Sequence, residues 1–298
     1  MKKWIRAVLA TVLLTLMFSV TALAAPKEGT IIALGADLTP EQRATVLSLM
    51  GVSEEELSSY TVITITNSDE HQYLDAYLDS SVIGTKALSS VMVTPAESGH
   101  GVMVTTQNIN YCTTGMYRNA LLTAGVEDAD ILVVGPTEIS GTAGLIGALK
   151  AYEQASGETI TDSIMDTALN ELIATGEIAS RSANSEEVEE LIAFIKAKLA
   201  AGELETEEDI RKAIAEGEQR FGVSLDESEI RQIVDFMMKI KKLGLDPNVL
   251  LDQAADLYEQ FGDELLTKAS DEGFWKSIWG FFSNCGSSVI DFFKNLFS

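Results

Sequence analysis

Two histidines and two cysteines are all the imidazole and thiol available in 298 residues, so nucleophilic or metal chemistry has few places to begin. His100 stands in Ser98-Gly99-His100-Gly101, where flanking glycines open the ring to solvent and to proton transfer near neutral pH. Cys112 precedes Thr114 to Ala124, a segment patterned as a helix closed by Gly125, and a helix start favours a thiolate. Ser98, His100 and Cys112 are therefore the candidates for a nucleophile and its base, with Asn108, Asn110 and Tyr111 as polar neighbours. An exported hydrolase acting on wall or peptide substrates would need such a set. No family signature surrounds these residues, and a loop histidine beside a half-buried cysteine is the ordinary outcome, so no catalytic residue is assigned.

A second constellation lies in Ile131 to Tyr152, ILVVGPTEISGTAGLIGALKAY, which reads as a buried strand, a glycine-punctuated turn and a small-residue helix. A helix whose amino end follows a glycine turn can hold an anion on its free N–H groups. Gly135, Thr137, Ser140, Gly141 and Thr142, with Asn108 and Asn110, are the candidate ligand-binding residues on that reading. Neither a P-loop nor a G-x-G-x-x-G pattern is present, and the competing account is that Gly141, Ala143, Gly144, Gly147 and Ala148 form a flat face for close packing on a sheet. No metal is expected: His71 has no partner at ligand spacing, and neither zinc-protease nor calcium-loop spacing occurs. No cofactor is expected either.

The elements that must position these residues divide the chain in two. Strand and helix patterns alternate from Thr30 to about Gly157: strands at Thr30–Leu34, Tyr60–Thr66, Leu88–Thr94, Val102–Thr106 and Asp130–Val134, and helices opened by Thr39-Pro40-Glu41-Gln42 and by Ser68-Asp69-Glu70. The runs Leu88–Thr94 and Val102–Thr106 flank the turn-forming PAESGHG and are expected to pair as a hairpin. From Thr161 onward the pattern is helical throughout. A first helix striped by Ile164, Ala168, Leu169, Leu172 and Ile173 ends at Gly176, and Ala179–Asn184 is the linker to a second. That second helix places Lys196 and Lys198 in its last turns, where the helix dipole favours cations. Starts at Thr206, Asp226 and Asp246-Pro247 open three more. The expected class is α+β or α/β: a mixed sheet with packed helices over 25–157, an all-α domain over 158–270, and an amphipathic C-terminal helix over 271–298.

Both ends carry location signals. Lys2, Lys3 and Arg6 precede an apolar run and the small-residue triplet Ala22-Leu23-Ala24, so residues 1–24 read as a signal peptide cleaved before Ala25, and the mature protein as extracytoplasmic, secreted or held in the envelope. In the last segment Trp275, Trp279, Phe282 and Phe293 recur at helical spacing opposite Lys276, Asp291 and Lys294. That stripe is either core, a partner's docking helix or a peripheral membrane contact. The formal net charge is −24, which excludes the basic surface that nucleic-acid binding requires. Cys112 and Cys285 leave both a disulfide and two separate thiols open.

The stretch Asn108–Tyr117, the Ala124-Gly125-Val126 turn and the Ser140–Glu153 block, with the signal sequence and the TPEQR helix start, resemble the YpuA-like family of exported Gram-positive bacterial proteins of unknown function. The resemblance runs from about Gly29 into the helical region. It implies an extracytoplasmic protein and brings no reaction, cofactor or site residue with it. Without a catalytic signature, the sequence points to a non-enzymatic binding protein with an envelope protein or wall component as partner, and the hydrolase as the alternative.

Overall fold

The computed structural model describes residues 28–182 and 185–244. The expected signal peptide, the helix opened by Asp246-Pro247, the aromatic C-terminal helix and Cys285 lie outside the described residues.

Five strands form one mixed sheet: β1 (Ile31–Gly35), β2 (Thr61–Ile65), β3 (Ser90–Pro95), β4 (Val102–Ile109) and β5 (Ala129–Ile139), in the order β2-β1-β3-β5-β4. β1 and β2 are parallel, β4 and β5 are parallel, and β3 runs against its neighbours β1 and β5. The expected hairpin between the third and fourth strands does not form. β5 lies between them, with Val91 opposite Val133 on one side and Val104 opposite Ile131 on the other. The reason is apolarity on both faces: Ile131, Leu132, Val133 and Val134 would leave a wide apolar surface in water at an edge, whereas β4 alternates with Thr105 and Gln107 and suits the rim.

Side chains alternate across the sheet. Ile31, Ala33, Val91, Val93, Ile131 and Val133 face a core completed by α4 (Thr114–Thr123), α5 (Thr142–Ser156) and the first half of α6 (Asp162–Arg181). Ile32, Leu34 and Val134 face the other way and are covered by Val46 and Leu47 of α1 (Pro40–Leu49), Met50 just after it and Leu57 of a short 3₁₀ turn. The predicted capping box is present: Thr39 Oγ1 accepts from the Gln42 N–H, and Gln42 Oε1 accepts from the Thr39 N–H at 3.0 Å. α2 (Asn67–Leu74) follows β2 on a second capping box from Thr66 to Asp69, and the short α3 (Ser80–Ile83) leads toward β3.

α7 (Ser185–Ala200), α8 (Glu207–Phe221) and α9 (Glu227–Leu243) close a second apolar core with Ala174, Ile178 and Ala179 of α6. Their caps at Thr206 and Asp226 stand where the sequence places them. α6 does not stop at Gly176 but continues to Arg181, so one helix serves both cores. Gly176 marks a contact rather than an end: a Cβ there would lie 2.6 Å from Met116 Cε and 2.7 Å from the Tyr111 phenol. Lys196 stands in the last turns of α7, as expected, but in an unexpected setting. It is not solvated at a helix end but 1% exposed, and its Nζ donates to Glu171 at 2.9 Å and to Thr123 Oγ1 at 2.7 Å. Among the described residues no helix is long and apolar enough to cross a membrane.

Candidate functional site

Because β1, β2, β4 and β5 share one direction, their carboxyl ends and the starts of α1, α2, α4 and α5 gather on a single edge of the sheet. In open sheets of this kind that edge is where ligands settle. The first turns of α1, α2 and α4 are capped by Thr39, Thr66 and Thr113, whereas α5 begins at Gly141, φ 91°, without a side-chain cap.

The structure brings together most of the candidate binding residues there. β5 does not end at Val134; Gly135 to Ile139 continue the strand, and Ile139 pairs with Ile109 past a bulge in β4. The bulge centres on Asn108, whose φ of 58° is the left-handed conformation that asparagine tolerates better than most residues. Asn108 Nδ2 donates to the Gly135 carbonyl at 3.0 Å, the Asn110 N–H to the Ile139 carbonyl at 3.0 Å, and the Cys112 N–H to the Ser140 carbonyl at 3.1 Å. Asn110 and Thr137 are exposed on this arm and Ser140 is half-buried, while Gly135, Gly141 and Thr142 are buried.

The glycine turn is not an open cradle. A Cβ on Gly141 would lie 2.5 Å from the Tyr117 hydroxyl oxygen, and one on Gly144 would lie 2.6 Å from Val133 Cγ1 and 2.8 Å from the same hydroxyl. The Tyr117 phenol fills that space and donates to the Gly141 carbonyl. Gly147 likewise lies against Val91. These glycines let α5 lie close on the sheet, and what the edge offers to solvent is a polar platform of Asn110, Thr137 and Glu138, with Ser140 half-buried beside the filled turn.

The nucleophile and base of the hydrolase reading are far apart. Ser98 and His100 are exposed before β4, and His100 Nε2 meets Asp130 Oδ1 at 2.9 Å. Cys112 follows β4, so the eight residues of that strand, about 26 Å of extended chain, lie between them. Cys112 is also buried beside Tyr117, and burial pushes its thiol up to about 12, against the partial relief of the Tyr117 hydrogen bond. A protonated, enclosed thiol is no nucleophile at neutral pH. Among the described residues, no three His, Cys, Asp or Glu side chains come together as a cation site.

At the β1/β2 half of the same edge stands a residue that pattern reading passes over. Glu70 of α2 is 3% exposed and accepts from Asn67 Nδ2 at 3.1 Å. Burial, with the charges of Asp37 and Asp69 nearby, pushes its carboxyl up to about 7 despite that hydrogen bond. Its neighbour His71 meets the Gly84 carbonyl at 3.2 Å through Nε2 and Asp75 at 2.7 Å through Nδ1, and the Asp75 contact raises the ring's pKa. Tyr117 and Glu70 gave no signal of this kind in sequence, since a tyrosine on an apolar stripe reads as core and a glutamate in a first turn reads as solvated.

Residues 34–257 match a family described as a protein of unknown function, DUF1002. The chain belongs to this family. It is 36% identical over 301 residues to the uncharacterized protein YpuA of Bacillus subtilis (strain 168), a match covering 99% of this chain and all of YpuA. No solved structure matches it. The family match runs from the end of β1 through the rest of the α/β body and α6 to α9, so the arm at Asn108–Cys112 and Gly135–Thr142 lies within it.

Proposed function

We propose that this DUF1002 protein acts outside the cytoplasm, after removal of residues 1–24, as a secreted or envelope-associated binding protein that catalyses no reaction. The platform at the carboxyl edge of the sheet carries the reading. Asn110, Thr137 and Ser140 sit on an arm whose shape is fixed by the Asn108 side chain and the Gly135–Ile139 strand extension. Such a polar surface, with Glu138 its one exposed charge, suits a ligand rich in hydroxyl or amide groups, as an envelope protein or a wall component is. The separation of His100 from Cys112, with Cys112 enclosed, gives the hydrolase no support. The aromatic segment at Trp275, Trp279, Phe282 and Phe293 would retain the protein at a membrane surface or on a partner.

Photo-crosslinking in the native cell tests this. A photoreactive residue at Asn110 is expected to give discrete envelope adducts, and one at Ser98, on the opposite edge, is not. Adducts from neither position, or equally from both, would refute the platform.

A further inference from the structure

The two apolar cores meet across a seam of unusual composition. α4 turns Met116, Tyr117, Ala120 and Leu121 to the sheet and Gly115, Arg118, Asn119 and Thr123 toward α7. α7 gives Val188, Leu191, Ile192 and Ile195 to the second core. Toward α4 it presents Glu189, which accepts from Thr113, and Lys196, which donates to the Asn119 carbonyl at 2.7 Å. Ala193, buried and part of neither core, lies between those two at helical spacing. Where α6 crosses the seam it contributes Glu171, bonded to Lys196 and Thr123, and Thr175 one turn on. Desolvation pushes the Glu171 carboxyl up and the Lys196 ammonium down, opposed by their mutual attraction.

Closure of this seam is only partly rewarded. The Asn119 carboxamide and the Thr175 hydroxyl, both about 1% exposed, find no hydrogen-bond partner among the described residues. Opening would return these groups and the charges to water, which offsets much of what is lost, whereas opening either apolar core offers no such return. α6 also carries its least stiff residue, Gly176, just past the point where it passes from one core to the other: Leu172 and Ile173 belong to the first core, Ala174 and Ile178 to the second. A clasp holds the far side. Lys239 of α9 donates to the Tyr77 hydroxyl at 2.8 Å and to Asp166 Oδ2 at 3.0 Å, and Tyr77 donates to Asp166.

We propose that α7, α8 and α9, with the last turn of α6, form a cap that swings off α4 as a unit about Gly176, opening the polar seam while the first apolar core and, apart from the small contact of Ala174, the second stay closed. The motion uncovers the polar stripe of Gly115, Asn119 and Thr123.

Thiol labelling of the full chain under native conditions tests the cap. Single Ala193→Cys and Thr175→Cys variants report on the seam and Val133→Cys on the sheet, all in a Cys285→Ser background, with each site read by peptide mass spectrometry. The seam thiols are expected to label at least tenfold faster than the sheet thiol, with a weaker dependence on urea because less surface is exposed. Lys239→Met, which removes the half-exposed clasp, should speed both seam positions a few-fold and leave position 133 unchanged. Equal rates at seam and sheet, the same urea dependence at all three, or a Lys239→Met effect common to all three overturns the proposal.

Discussion

Replacing Glu70 by glutamine tests how far burial governs this carboxyl. In the native protein the group is enclosed on α2, receives one hydrogen bond from Asn67 and faces the charges of Asp37 and Asp69. A rise from the ordinary 4.5 to about 7 corresponds to about 3 kcal/mol at most between the ionised folded and unfolded forms. Between these two values the folded chain binds more protons than the unfolded one, so this group's contribution falls as pH rises from about 4.5 to 7 and is level above. Glutamine keeps the shape and the Asn67 contact without the charge. The variant should therefore match the wild type near pH 4 and exceed it by about 2 kcal/mol at pH 8. Urea unfolding of both proteins at half-unit pH intervals measures the difference, in which the other carboxylates cancel. A difference that stays constant from pH 4.5 to 7.5, or a variant less stable at pH 8, would refute the account.

Other substitutions probe the packing and the ends. Lys196→Met leaves the Glu171 carboxylate enclosed without its cation and should cost about 3–5 kcal/mol in urea unfolding at pH 7; an unchanged midpoint would mean the pair is solvated. Gly144→Ala forces a methyl against Val133 and the Tyr117 hydroxyl and should lower stability by about 1–3 kcal/mol, whereas Gly157→Ala, with open space around it, strains only its φ of 75°. Tyr117→Phe removes one of the two donors to the Gly141 carbonyl, leaving the Gly144 N–H at 2.8 Å, and should cost about 0.5–1.5 kcal/mol, read from the melting curve. Deleting residues 273–298 should abolish binding to phospholipid vesicles or recovery of a partner while leaving the melting temperature within a few degrees; a large loss of stability would assign the aromatic stripe to the core instead.

Local rules were legible in this sequence where the structure is decided locally. Thr39-Pro40-Glu41-Gln42, Thr206 and Asp226 stop a helix from running backwards by offering an oxygen to its first N–H groups, and that chemistry needs only neighbours along the chain. Pairing of strands is not local. The turn residues between β3 and β4 were compatible with a hairpin, but the two-sided apolarity of β5 outweighed them. Gly176 looked like a stop because glycine costs a helix about 1 kcal/mol, a sum easily repaid by the close approach of Met116 and Tyr111. Lys196 has the composition of a helix end and the position of a seam, and only the arrival of α4 and α6 distinguishes them. At the candidate site, Asn108, Asn110 and the Gly135–Thr142 stretch are legible in sequence, but their union depends on the bulge and on the extra length of β5.

The place of β5 between β3 and β4 also bears on how the chain comes together. A protein emerging amino end first can pair β1, β2 and β3 early, yet β4 then has no neighbour to accept its hydrogen bonds until residues 129–139 follow. The sheet cannot be zipped from its own turns, because its last strand must enter between two that are already present. Assembly thus waits on a contact between distant parts of the chain, the kind that slows folding and leaves strand edges bare in the interval. For a chain threaded across a membrane, that interval would last until Ile139 has cleared the far side.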